Sequence, residues 1–294
     1  MSAEYVLVLG CPRSGTTYLM SILNALPDAE CISGTLLPVT IPHVVNHVGS
    51  EEIYDALAIG FERALDAYLH SERYLSRAAA VQKWIAAPTG VRNLVRALRE
   101  QRPFPRWMIY KEPFLSLAPN FVLDAFPDSK LIYIYRDGRD VANSLVKSYN
   151  VLTDEKLEDL QAAEMRLGRS WGDLYVPWWV DEGDEEWFME STPYVRAIWM
   201  WKYMVRQCYE AFAGHTVEEG GRVLMLRYEE LARDPEGQGQ RLMDHLGAEG
   251  TASLLKRLGA ARSSSIGKHT RRSDEEVEAA EDVAGDELRL FGYL

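Results

Sequence analysis

The chain has 294 residues, 47% of them hydrophobic and 26% charged, with a formal net charge of −12 at pH 7. That apolar share builds a sizeable core, and the length suits one large α/β domain spanning 1–294. The negative balance excludes nonspecific binding to nucleic acid or to an anionic membrane, so an anionic ligand must be drawn in by a local basic pocket.

In chain order, the first predicted element is a buried strand, Tyr5–Leu9, running into Gly10-Cys-Pro-Arg-Ser-Gly-Thr-Thr17 and then a helix, Tyr18–Leu26. A strand that passes through a glycine-bounded loop into a helix aims backbone N–H groups and a positive helix end at one point, where an oxyanion binds. The two glycines are spaced as in a phosphate-binding loop. Thr16 stands where a nucleoside triphosphatase has its lysine, and the cation is Arg13, inside the loop. A helical insertion, approximately 40–105, follows. Its Glu51–Leu69 stretch carries Ile53, Leu57, Phe61 and Leu65 at helical spacing, and Val91, Leu94, Val95 and Leu98 repeat the pattern.

Apolar, β-branched and aromatic runs predict further strands at Trp107–Tyr110, Lys130–Tyr135 and Arg222–Leu226. Strands separated by helical stretches predict a three-layer α/β fold, a central parallel sheet flanked by helices. The third of the four strands ends in Arg136-Asp-Gly-Arg-Asp140 and a helix through Tyr149, which puts Arg136 at a strand's carboxyl end with Ser144 eight positions on. An arginine fork plus a hydroxyl suits a phosphate monoester. A second helical insertion, approximately 151–215, begins with a predicted helix over Glu155–Trp171, passes an acidic run at Asp181–Glu186 expected as a solvated loop, and ends in a helix over Pro193–Ala213. Six of the eight tryptophans fall between Trp171 and Trp201, as core filling or as an aromatic wall of an acceptor pocket.

The run Pro12-Arg-Ser-Gly-Thr-Thr-Tyr18 resembles the 5′-phosphosulfate loop of sulfotransferases that use 3′-phosphoadenosine 5′-phosphosulfate (PAPS), in the arginine form of the carbohydrate, tyrosylprotein and bacterial branches. The resemblance extends along the chain. It implies that Arg13, Ser14, Gly15, Thr16, Thr17 and Tyr18 hold the 5′ end of the co-substrate, and Arg136 and Ser144 its 3′-phosphate. Arg222-Val-Leu-Met-Leu-Arg-Tyr-Glu-Glu-Leu231 is similar to a family block whose tyrosine, here Tyr228, lies against the adenine. Ser263–Arg272 looks like the loop that closes over the phosphates, with Ser264, Gly267, Lys268 and Arg271 as its contacts, and Leu290–Leu294 resembles the tail of bacterial members.

Sulfuryl transfer to a hydroxyl needs positive charge at the leaving oxygen and a base at the acceptor, by analogy with phosphoryl transfer. Arg13 is the candidate for the first, with Lys111 at the end of its strand as the second cation. His43 and Glu112 are the candidate bases; the family's histidine position is Pro113 here, and the segment Cys31–Pro38 lacks the tyrosylprotein-type glutamate. No metal-ligand spacing is found, so transfer without a metal is expected. The partner is a small or medium-sized hydroxyl acceptor. The alternatives are a small-molecule kinase, against which the missing loop lysine and the Arg136/Ser144 pair speak, and a non-catalytic nucleotide-binding protein. Three cysteines without a C-x-x-C pair fit a reducing cytoplasm. Neither a signal peptide nor a membrane span is expected.

Overall fold

The strand β1 (Glu4–Leu9) is the middle of a five-stranded, all-parallel sheet in order β2-β3-β1-β4-β7. This is seen in a computed structural model that describes residues 3–26, 29–33, 40–74, 105–149, 152–157, 168–172, 174–250, 252–260 and 263–294. The partners are β2 (Ala29–Ser33), β3 (Trp107–Lys111), β4 (Lys130–Tyr135) and β7 (Val223–Arg227). Val6 to Leu9 are all essentially inaccessible because both faces of the sheet are covered, which is why these strands read as unbroken apolar runs. Alternate residues serve opposite layers. Val6 and Val8 meet the helices Thr16–Leu23, Pro235–Leu246 and Ala252–Leu258. Leu7 and Leu9 meet Glu51–Tyr74, Pro119–Ala125 and Pro193–Phe212.

The strand order sets up the chemistry. β3, β1, β4 and β7 are consecutive neighbours, so their carboxyl ends form a row of three steps, about 14 Å long at the usual ~4.8 Å strand spacing. Along that row stand Lys111, the loop after β1, Arg136 and Tyr228. Strands β2 and β3 lie on one side of β1 and β4 and β7 on the other, and ligands of open α/β sheets bind where the strand order switches in this way.

Three expectations need correcting. β2 is an additional edge strand; with five residues and Glu30 at its second position, it lacks a strand's apolar pattern. The stretch expected as a helix over Glu155–Trp171 is helical at 154–157, but Gly168–Trp171 is a strand, β5, in an antiparallel hairpin with β6 (Leu174–Pro177). Gly172, at φ 58°, makes the turn, and the aromatic and β-branched residues on either side favour extension. The acidic run is only partly a loop: Asp181 pairs with Lys202 at 2.7 Å, and Glu185 and Glu186 open the helix Glu185–Glu190, a favourable place for negative charge. The expected helix at Val91–Leu98 lies outside the described residues.

A third cluster of apolar side chains joins the helix Pro193–Phe212 to Gly138–Tyr149 and Asp274–Leu290, and it takes in Trp179, Trp199 and Trp201, with Trp171 and Trp178 packed against it. Cys11, Cys31 and Cys208 are buried free thiols. No helix among the described residues is long and apolar enough to cross a membrane.

Candidate active site

The loop after β1 is shaped by its glycines. Gly15 sits at φ 106°, and a Cβ there would lie 2.6 Å from the ring of Tyr228, so only glycine lets the loop close under that ring. Arg13 itself adopts φ 76°, a strained value for a residue with a side chain. The loop is held at its start by Gly10 N donating to Ser116 Oγ at 2.9 Å, and at its middle by Ser14 N donating to Cys11 O at 3.0 Å. The helix that follows begins at Thr16 without a side-chain cap, leaving its positive end toward the loop.

The junction after β4 works differently, through side chains. Arg136 is 6% exposed; its guanidinium lies 4.8 Å from the centroid of the Tyr228 ring and donates to Arg13 O, Ser265 O and Asp140 Oδ2. Asp140 in turn accepts from Gly267 N at 2.7 Å, His269 N at 2.9 Å and His269 Nδ1 at 3.0 Å, fastening the loop 263–271 over the end of β4. Although burial opposes it, His269, the loop amides and Arg136 together hold the Asp140 carboxyl below its ordinary pKa. Trp201 buttresses the turn from behind, its Nε1 donating to Arg136 O at 3.1 Å, and a Cβ at Gly138 would fall 2.4 Å from its ring.

Both junctions open into one cleft of about 1230 Å³. Of the residues singled out in the sequence, Arg13, Gly15, Thr16, Thr17, Tyr18, Lys111, Glu112, Arg136, Ser144, Tyr228, Ser264 and Lys268 line it. Arg13 reaches across from the first junction to the second: its Nε donates to Ser144 Oγ at 2.9 Å, and its guanidinium lies 5.2 Å from the Tyr149 ring centroid. Ser14 is buried just beneath. Gly267, at φ 72°, gives its N–H to Asp140, and Arg271 is exposed and outside the lining. Arg272 is bound to Glu276 and Asn143 and stacks on Tyr194, so Lys268 is the cation that the loop brings to the cleft.

The two candidate bases are separated. Glu112 is 3% exposed, lines the cleft beside Lys111, and accepts from Phe114 N at 3.2 Å. Burial raises its pKa against the opposing pull of that N–H and of Lys111. His43 is not among the lining residues. It stacks against His47, centroids 4.5 Å apart, and faces Trp178 at 6.2 Å; burial, then His47, lower its pKa. No tryptophan is among the described lining residues. The apolar part of the lining comes instead from Pro113, Phe114, Leu145, Leu152 and Met200, which no periodicity in the sequence tied to a site. Asn143 was also missed, being read simply as part of a helix.

Whether these residues suit a doubly phosphorylated nucleotide is tested by their unpaired polar atoms. Ser14 Oγ, in the first junction, and Arg136 Nε, in the second, are buried without a protein partner. Two donors of this kind, one in each junction, fit two anionic groups. Among the described residues, no group of three or more histidine, cysteine or carboxylate side chains is disposed to hold a metal.

Fold and site define an α/β protein with a cleft, lined by Arg13, Lys111, Arg136 and Lys268, at the carboxyl edge of a parallel sheet. A family model described as "Sulfotransferase family" matches residues 6–182, a span that contains both junctions, and the chain belongs to that family. Protein-tyrosine sulfotransferase of Drosophila melanogaster is 28% identical over 151 residues, 50% of this chain and 26% of that protein. Protein-tyrosine sulfotransferase A of Caenorhabditis elegans is 24% identical over 160 residues, 54% of this chain and 37% of that one. The chain thus spans only about a quarter to a little over a third of the length of these relatives. Among solved structures, the sulfotransferase domain of the Synechococcus PCC 7002 olefin synthase is 17% identical, with 96% of this chain and 95% of that one covered at a TM-score of 0.49.

Proposed function

We propose that the protein transfers a sulfuryl group from PAPS to a hydroxyl of a small or medium-sized acceptor. The observation that carries this reading is the joining of two anion-binding junctions, β1 to its helix and β4 to its helix, in one cleft with Tyr228 between them. PAPS has two phosphate positions on one adenosine; ATP has no 3′-phosphate for the Arg136/Ser144 pair. Bound there, PAPS supplies the sulfuryl group.

The protein's own groups are suited to the rest. The loop amides, Thr16 and Thr17 hold the 5′-phosphate. Lys111 and Arg13 neutralise charge as it develops on the leaving phosphate oxygen, an effect worth roughly 3–4 kcal/mol for a well-placed donor. Glu112 takes the proton of the acceptor hydroxyl, and its raised pKa makes it a stronger base than an ordinary carboxylate. One bond forms from the acceptor oxygen to sulfur and one breaks from sulfur to the phosphate oxygen. A sulfuryl group carries less negative charge than a phosphoryl group, so cationic side chains and amides suffice without a metal. Pro113, Phe114, Leu145, Leu152 and Met200 favour an acceptor with an apolar body.

Calorimetric titration tests the reading. The protein is expected to bind 3′,5′-adenosine bisphosphate without magnesium and far more tightly than ATP. Tight magnesium-dependent ATP binding with indifference to the bisphosphate would support the kinase alternative and overturn this one.

A further inference from the structure

The two residues that meet at the centre of the cleft, Arg136 and Tyr228, are each followed by a buried carboxylate, Asp137 (7% exposed) and Glu229 (3% exposed). These carboxylates do not line the cleft. They enter a network behind it. Glu229 Oε1 accepts from Asp137 N at 3.1 Å, which ties the turn after β4 directly to the first turn of the helix Tyr228–Arg233, which follows β7. Arg139, 9% exposed, grips Asp137 with Nε at 3.1 Å and Nη2 at 2.8 Å, and reaches Glu281 with Nη1 at 2.6 Å.

The segment Phe291–Leu294 completes the network. Tyr293 donates its hydroxyl to Glu229 Oε2 at 3.1 Å, and its carbonyl accepts from Arg139 Nη2 at 3.0 Å. Arg227 covers the ring of Tyr293 at 4.2 Å and donates to Gly292 O at 3.1 Å. Burial, then the Glu229 charge, push the phenol's pKa up, so it stays a donor. Buried ionic groups contribute little net stability compared with apolar ones of the same shape; what they do supply is a fixed geometry. Here that geometry is the separation of the Arg136 guanidinium from the Tyr228 ring.

We propose that Tyr293 is a positioning residue for the 3′-phosphate site: through Glu229 and Arg139 it locks the turn that carries Arg136 to the helix start that carries Tyr228. The proposal rests on the reading of the cleft as a PAPS site. It assigns a role to a segment that does not line the cleft.

The test compares Tyr293→Phe and Glu229→Gln with the parent, titrating 3′,5′-adenosine bisphosphate and adenosine 5′-phosphate. In both variants the bisphosphate is expected to weaken about tenfold, the scale of one hydrogen bond to a charged group. Adenosine 5′-phosphate, which lacks the group that Arg136 holds, is expected to stay within about twofold. In an Arg136→Ala background, Tyr293→Phe is expected to add no further loss, because it acts through Arg136. Unchanged bisphosphate affinity in Tyr293→Phe, an equal loss for both ligands, or a full further loss in the Arg136→Ala background would overturn the positioning role. A parent protein that binds no bisphosphate would instead overturn the reading of the cleft.

Discussion

The two junctions that face the cleft are built from different materials. The one after β1 is made of backbone: glycine at positive φ, an uncapped helix start, and a close approach to the Tyr228 ring. The one after β4 is made of side chains, with Arg136, Asp140, Asp137 and Arg139 all buried and cross-linked to the helix after β7 and to the loop 263–271. A backbone cradle is damaged by added bulk and is indifferent to most changes of charge. A side-chain cup is damaged by removing a single charged group, because its partners are left buried and unpaired. Arg13 spans the two, and Glu112, after β3 on the far side of the β1 junction from β4, belongs to neither and stands beside Lys111.

The largest effect is expected at the group outside both cups. Glu112→Gln is expected to lower kcat by about 10²- to 10⁴-fold, the usual contribution of a general base, with bisphosphate affinity nearly unchanged. The same residue makes a pH prediction. Its pKa is raised, so activity is lost as pH falls through a value above the ordinary carboxylate range, and the acid limb of the kcat/KM profile disappears in Glu112→Gln. An acid limb retained in that variant would remove Glu112 as the base.

Next comes the side-chain cup. Arg136→Ala is expected to weaken 3′,5′-adenosine bisphosphate by roughly 10- to 100-fold, while adenosine 5′-phosphate changes little. Calorimetry on the two ligands reads the difference, and a parallel loss of both would mean that the junctions do not divide the nucleotide between them. The backbone cradle should respond to bulk instead. Gly15→Ala is expected to cost about 1–3 kcal/mol in denaturant-measured stability, from the strained φ and the contact with Tyr228, and to weaken both nucleotides together. Smallest of all is His43→Ala, expected to leave kcat within about threefold, since the ring packs on His47 and Trp178 instead of lining the cleft.

The contrast also explains which parts were legible in the sequence. Four strands announced themselves because both faces of a parallel sheet are covered and their apolar runs are unbroken. The backbone cradle was legible because its constraint is local: the glycines and hydroxyl residues must be contiguous. Arg136 and Ser144 sit close enough in sequence for strand-then-helix logic to bring them to one place. β2 escaped because Glu30 interrupts its short run. The hairpin Gly168–Pro177 was misread because its first strand follows a stretch with a helical pattern. The network behind Arg136 was beyond sequence reasoning. It joins Asp137, Glu229 and Tyr293, which are separated by 92 and 64 positions, through bonds that no local pattern encodes. For the same reason the tryptophans offered two readings; packing with the helix Pro193–Phe212 places Trp179, Trp199 and Trp201 in the core, whereas Trp187 is exposed.

The central claim is that one nucleotide spans both junctions, and a crystal structure of the protein with 3′,5′-adenosine bisphosphate tests it most directly. The 5′-phosphate is expected among the amides of residues 13–17 and the 3′-phosphate within hydrogen-bond distance of Arg136 and Ser144. A nucleotide lodged in the first cradle with its ribose turned away from Arg136 and Ser144 would contradict it.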